Sequence, residues 1–177
     1  MNGQPSTWTA PKFPLAEDGP LVGADRPILE GFLAWHRSTL LRICSGLTGD
    51  QLASRPVPPS ALSLLGLVRH MAKVEPTWFR HRAGGQNVGS PYDPAKGKNA
   101  DFDDLDPAEA KGDFERFDAE CRLADEAAAA LDFDDTFLLH GEEYSLRLVS
   151  VHMIAEYARH NGHADLLREC IDGTTGI

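Results

Sequence analysis

"HMIAEYARHNGH" (residues 152–163) sets three histidines and a glutamate within twelve residues. An α-helix turns by roughly 100° per residue, so positions four apart sit about 40° apart around it. His152, Glu156 and His160 follow that spacing, and His163 comes three residues after His160. All four side chains therefore fall within an arc of about 80°. Val149 and Leu167 project into the same arc, which argues against a simply solvated face. The stretch reads as part of a long last helix, from about Ser145 to Ile171, with polar groups turned inward.

Three more helices are legible outward from it. In "DRPILEGFLAWHRSTLLRICSGL" (25–47), Leu29, Leu33, His36, Leu40, Ile43 and Leu47 draw one apolar stripe. Asp25 and Pro27 suit its start, Gly46 and Gly49 its stop. After the rigid connection "SRPVPPSA" (54–61), Ser60 or Ser63 caps a helix through "LLGLVRHMAKVE" (64–75), whose stripe holds Leu67, His70, Val74 and Trp78. Pro76, lacking a backbone donor, predicts a kink or break there. The long Gly-, Pro-, Asn- and Asp-rich connection from His81 to Asp106 predicts a crossover rather than a tight hairpin. "DPAEA" (106–110) then opens a helix with Asp106 as cap and Pro107 in the first position. "DFDDTFLLHGEEY" (132–144) is a second acidic connection, in which "DTFLLH" suits a short extended piece. The expectation is an all-α four-helix bundle with a long crossover connection, one domain over residues 25–173, preceded by an irregular arm over residues 1–24.

Composition narrows the function. At 177 residues, with 42% hydrophobic and 25% charged residues, the chain can bury a real core. A net charge of −10 counts against an electrostatic grip on nucleic acid or anionic membranes. No apolar run approaches a membrane span, and the first residues lack the pattern of a secretion signal, so the expected location is cytoplasmic. Cys44, Cys121 and Cys170 are an odd, scattered set without CxxC, as befits reduced thiols. Cys170, ten residues beyond His160, would lie about 15 Å along the axis, too far to share a metal with it.

His70 lies on the apolar stripe of a different helix. Imidazoles and a carboxylate pointing into a bundle core need partners, and one divalent metal satisfies several at once. Spacing alone admits His152, Glu156, His160 and His163 as its companions.

"SLLGLVRHMAKVEPTWF" (63–79), "SLRLVSVHMIAEYARHNGHADLLRECIDG" (145–173) and "GFLAWHRSTLLRICSGLTGDQL" (31–52) resemble the DinB-like superfamily. They are most similar to its actinobacterial branch, related to mycothiol-dependent transferases and maleylpyruvate isomerase. The likeness covers roughly residues 20–173. It implies a four-helix bundle whose metal takes one ligand from the second helix and two, four residues apart, from the last. Carried over, these are His70, Glu156 and His160. Many relatives have histidine at the Glu156 position; the His-Glu-His version looks like the zinc site of the thiol-using members. The resemblance also implies a low-molecular-weight thiol cosubstrate such as mycothiol, an electrophilic second substrate and a homodimer. The isomerase has a further C-terminal domain that this sequence does not show, which favours a transferase.

The chemistry suits that set. Three protein ligands leave an open position, as in catalytic rather than structural zinc. One carboxylate leaves the site a net positive charge, and a thiol bound there loses its proton. The metal is expected to be Zn²⁺, with Ni²⁺, Fe²⁺ or Mn²⁺ also suited to such ligands. His163 and Asp165 are candidates to orient the ligand imidazoles, with a surface ion pair of Asp165 to Arg159 or Arg168 as the plainer reading. His36, on the first helix's stripe, is a candidate acid or base, or else a satisfied core histidine. His152 either lines the pocket or packs in the core, and Trp35 and Arg37 suit ligand contact or packing and surface charge equally. "DFDDLD" (101–106) lacks Ca²⁺-loop spacing and reads as a solvated loop with a helix cap. HExxH, nucleophile-elbow, Walker and dinucleotide signatures are all absent. The leading reading is a metal-dependent thiol transferase; the alternative is a non-catalytic metal- or ligand-binding bundle in stress response or regulation.

Overall fold

The computed structural model describes residues 8–176. The chain is mostly helical, with one small antiparallel hairpin. Helix α1 spans Asp25–Cys44 and α2 Gly49–Ala53; α3 spans Leu64–Glu75 and continues as a π-helical segment, Pro76–Ala83. Helix α4, Ala100–Asp103, is one turn long; α5 is Ala110–Ala129 and α6 Leu146–Asp172. Strands β1, Thr136–Leu139, and β2, Glu142–Ser145, pair between α5 and α6. "DTFLLH" is thus half of a real hairpin, turned at His140 and Gly141, both at positive φ.

The starts follow the side-chain caps. Ser63 accepts from the Gly66 amide, Ser145 from that of Leu148, and Thr48 forms a reciprocal capping box with Gln51. Asp106 accepts from the Ala108 amide and caps a 3₁₀ turn, Pro107–Glu109, that leads into α5. At its other end α6 closes on Gly173, whose φ of 77° is costly for any residue with a Cβ. Pro76 widens the helix instead of ending it. The Thr77 hydroxyl donates to the Lys73 carbonyl at 2.7 Å, and the chain runs on through π turns.

The four long helices surround one apolar core. Leu40, Leu65, Val68, Met71, Phe117, Val149, Met153 and Tyr157 are essentially inaccessible within it. Helix α1 packs along α6, and α3 packs against both α5 and α6. One buried polar cluster ties all four together. Arg37 of α1 grips both carboxylate oxygens of Glu75 at 2.7 Å, the Tyr157 hydroxyl donates to Glu75, and Arg37 also reaches Asp125 of α5. Arg37 is therefore a buried ion-pair partner, not a surface charge.

The arm is irregular yet docked. Residues 1–7 of the expected arm lie outside the described residues. Ala10 exchanges backbone hydrogen bonds with Gly46 and Leu47, and Trp8 and Phe13 pack on Phe114. Gly31 of α1 lies so close to the arm that a Cβ there would meet the Gly19 Cα at 2.5 Å.

Candidate metal centre

Helices α3 and α6 bring His70, Glu156 and His160 together. Each offers one ligand atom, and these atoms lie within 4.8 Å of one another. Their side chains are mostly shielded, with 23%, 25% and 12% exposure. Two ligands about 2.1 Å from a tetrahedral centre are about 3.4 Å apart. The His160 Nε2 to Glu156 Oε2 distance is 3.5 Å, already at that value. The donor set, two imidazoles and a carboxylate, suits a divalent cation of the zinc type.

His70 is oriented from behind. Its Nδ1 hydrogen-bonds Asp101 Oδ2 at 2.8 Å, which leaves Nε2 free. Burial opposes ionisation of Asp101, but hydrogen bonds from His70 and Lys73 prevail and hold its carboxyl down at about 2. The solvated loop expected over residues 101–106 is corrected here. Ala100–Asp103 forms a helical turn, and Asp101 is 1% exposed because its charge has partners on α3. Sequence reading missed this residue. Its only local signal was the position of one Asp beside Ala100 and Phe102, which are themselves buried or half-buried.

Burial first, and then the charge of neighbouring His70, push the His160 imidazole down to about 4, against a raising influence from Glu156. His160 is thus neutral near neutral pH, with the ring nitrogen lone pair that ligation needs. Its Nδ1 is buried without a hydrogen-bond partner, as is Nδ1 of His163, whose ring lies 5.7 Å from that of His160. Neither His163 nor Asp165 hydrogen-bonds a ligand imidazole among the described residues. Asp165 is exposed and has no ion pair with Arg159 or Arg168; Arg168 instead binds Asp172 and the carbonyls of Ile43 and Ser45.

The other histidines separate by their neighbours. The His152 ring packs at a tilt against Trp78 with centroids 4.2 Å apart, and its Nε2 is 3.9 Å from Glu156 Oε1. The Arg82 guanidinium lies 4.0 Å over the same Trp78 ring. His152 therefore flanks the triad. His36 meets Trp35 and the Asn161 amide, which also donates to the His36 carbonyl; burial lowers its pKa. These contacts place it on the face of α1 that meets α6. A cavity of about 620 Å³ is lined by Lys12, Arg42, Asp165 and Arg168 among others, and by none of the three candidate ligands. Donor chemistry, not cavity size, locates this site.

None of the three thiols approaches the triad. Burial pushes Cys44 up to about 12; burial, then the charge of Glu75, raises Cys121 well above the usual thiol range. Cys170 is exposed near the end of α6. No helix among the described residues is long and apolar enough to cross a membrane.

A family model described as mycothiol-S-transferase matches residues 28–173, which takes in His70, Asp101, Glu156 and His160. No curated protein and no solved structure matches the chain.

Proposed function

The chain belongs to the mycothiol-S-transferase family, within the DinB-like superfamily, and we propose that it is a metal-dependent thiol transferase. The observation that carries the proposal is the convergence of His70, Glu156 and His160 from two helices, with one imidazole already oriented by Asp101. On this reading the packed helices are the superfamily's four-helix bundle, with residues 84–106 as its long crossover.

His70, Glu156 and His160 would hold a zinc-type cation with an open position, and that cation would supply a Lewis acid able to lower the pKa of a low-molecular-weight thiol such as mycothiol. His70 presents Nε2 because Asp101 occupies its other nitrogen. His160 directs Nε2 toward Glu156, and burial keeps the ring neutral. Glu156, one turn before His160 on α6, adds one negative charge. Trp78, in contact with His152 and Arg82, offers an aromatic surface near the triad for the electrophile or the body of the thiol. The thiol sulfur would form its bond to an electrophilic carbon as that carbon's bond to its leaving group breaks, the group departing with the bonding electron pair and the thiol proton passing to solvent. The chain's own cysteines take no part, since Cys44 is buried, Cys121 is half-buried, both have raised pKa values, and Cys170 is on the surface. A cytoplasmic homodimer belongs to the same proposal; the unpaired thiols support the reducing compartment.

The test is to purify the protein without a polyhistidine tag, measure its metal content and assay conjugation of mycothiol and other thiols to model electrophiles. Stoichiometric metal lost in His70→Ala and His160→Ala, with turnover in the parent, is the expected result. Metal without turnover across the thiol panel would instead favour a binding protein.

A further inference from the structure

We infer that Asp101 is a positioning residue of the metal centre, and that the one-turn helix α4 is held in place to deliver it. The inference rests on the three-ligand reading above and extends it to a segment outside the ligand helices.

Both Asp101 carboxylate oxygens are committed. Oδ2 meets His70 Nδ1 at 2.8 Å and Oδ1 meets Lys73 Nζ at 3.0 Å, with the side chain only 2% exposed. A bond to Lys73 alone would anchor the segment. The second oxygen, aimed at a ligand imidazole, couples the segment to the site.

The backbone of α4 is fixed independently. Arg69, adjacent to His70, donates to the carbonyls of Ala100 and Asp101 at 3.2 and 3.0 Å. Its charge is balanced by Asp113 of α5 at 2.9 Å, and its guanidinium stacks 4.1 Å from the Tyr92 ring. Phe102, the next residue of α4, packs 5.0 Å from the His70 ring. It also fills the space beside Gly66, where a Cβ would lie 2.9 Å from it. Asp101 and Phe102 thus restrain one imidazole by hydrogen bond and by packing. An acceptor at Nδ1 holds the Nδ1–H tautomer and makes Nε2 a better donor to a cation. His160 has no such acceptor, so His70 is the pre-set ligand of the three.

Two readouts test this on the full chain: the His70 tautomer by ¹⁵N NMR without metal, and Zn²⁺ affinity by competition with a chromophoric chelator. In the parent, His70 should carry its proton on Nδ1. Asp101→Ala should shift the ring toward the other tautomer and weaken Zn²⁺ about 10- to 100-fold. Asp101→Asn, which keeps a neutral acceptor and the side-chain shape, should fall between. Lys73→Met, which spares the His70 contact, should leave the tautomer unchanged. An unchanged tautomer and affinity in both Asp101 variants would overturn the inference. If the parent binds no Zn²⁺, the metal reading fails, and the tautomer comparison still decides whether Asp101 positions His70.

Discussion

The Tyr157 hydroxyl donates a 2.7 Å hydrogen bond to Glu75, and with it the rotation of the last helix is set. Tyr157 follows Glu156 directly, so seating the ring in the core turns Glu156 about 100° away, toward His70. Glu75 is fully buried and holds Arg37 in a bidentate pair, so its charge is matched where water is excluded. Tyr157→Phe should cost about 1 kcal/mol. Glu75→Ala, leaving the buried Arg37 with only the exposed Asp125, should cost about 3–5 kcal/mol. Urea unfolding of the two variants measures both losses, and the larger must belong to Glu75.

Stability of the metal-free protein should depend on pH through His160. Burial, reinforced by His70, holds its pKa at about 4, against 6.5 for an unperturbed imidazole. Between these values the unfolded chain takes up a proton that the folded chain does not, so stability falls as pH drops from about 6.5 to about 4. Urea titrations of chelator-treated protein across this window should show that slope, and His160→Gln should flatten it. A residual slope from His36, lowered in the same direction by burial, should survive. Asp101 acts in a separate window: held at about 2, it withdraws stability only as pH falls below about 3.8.

What the sequence disclosed depended on how local the cause was. Ser63, Asp106 and Ser145 cap helices through bonds to amides two or three residues on, so their positions were legible. The stripe carrying Leu67, His70, Val74 and Trp78 was legible for the same reason, and with the family resemblance it pointed to the triad. Asp101 was not legible. Its burial depends on Arg69, Lys73 and His70, about 30 residues away, and a four-residue helix has no period to read. Arg37 was obscured similarly, since its partner Glu75 lies on another helix. His163 and Asp165 followed the ligands in sequence, but α6 turns Asp165 to solvent.

His152 offers a discriminating substitution. It shares the helical face with Glu156 and His160, but its ring packs against Trp78 and it stands outside the group of converging candidate ligand atoms. His152→Ala should retain one equivalent of metal, while His70→Ala should lose it. Elemental analysis of the two purified variants makes the comparison, and loss of metal from His152→Ala would redraw the ligand set.

The cysteines give a second check on the source of the thiol. Alkylation of the folded protein at neutral pH should label Cys170 first, because Cys44 is buried, Cys121 is half-buried and both resist ionisation. Peptide mapping after iodoacetamide reads this out. Cys170→Ser should leave transfer activity unchanged; an inactive variant would implicate the chain's own sulfur.

The central claim is that His70, Glu156 and His160 hold a metal with a position open to a thiol. Cobalt substitution tests it most directly, because a thiolate on Co²⁺ produces a charge-transfer absorption that nitrogen and oxygen ligands do not. The account predicts one equivalent of Co²⁺ bound by the parent and none by His70→Ala, with the charge-transfer band emerging as mycothiol is added. A parent protein that binds no cobalt, or a cobalt spectrum indifferent to every thiol tried, would contradict it.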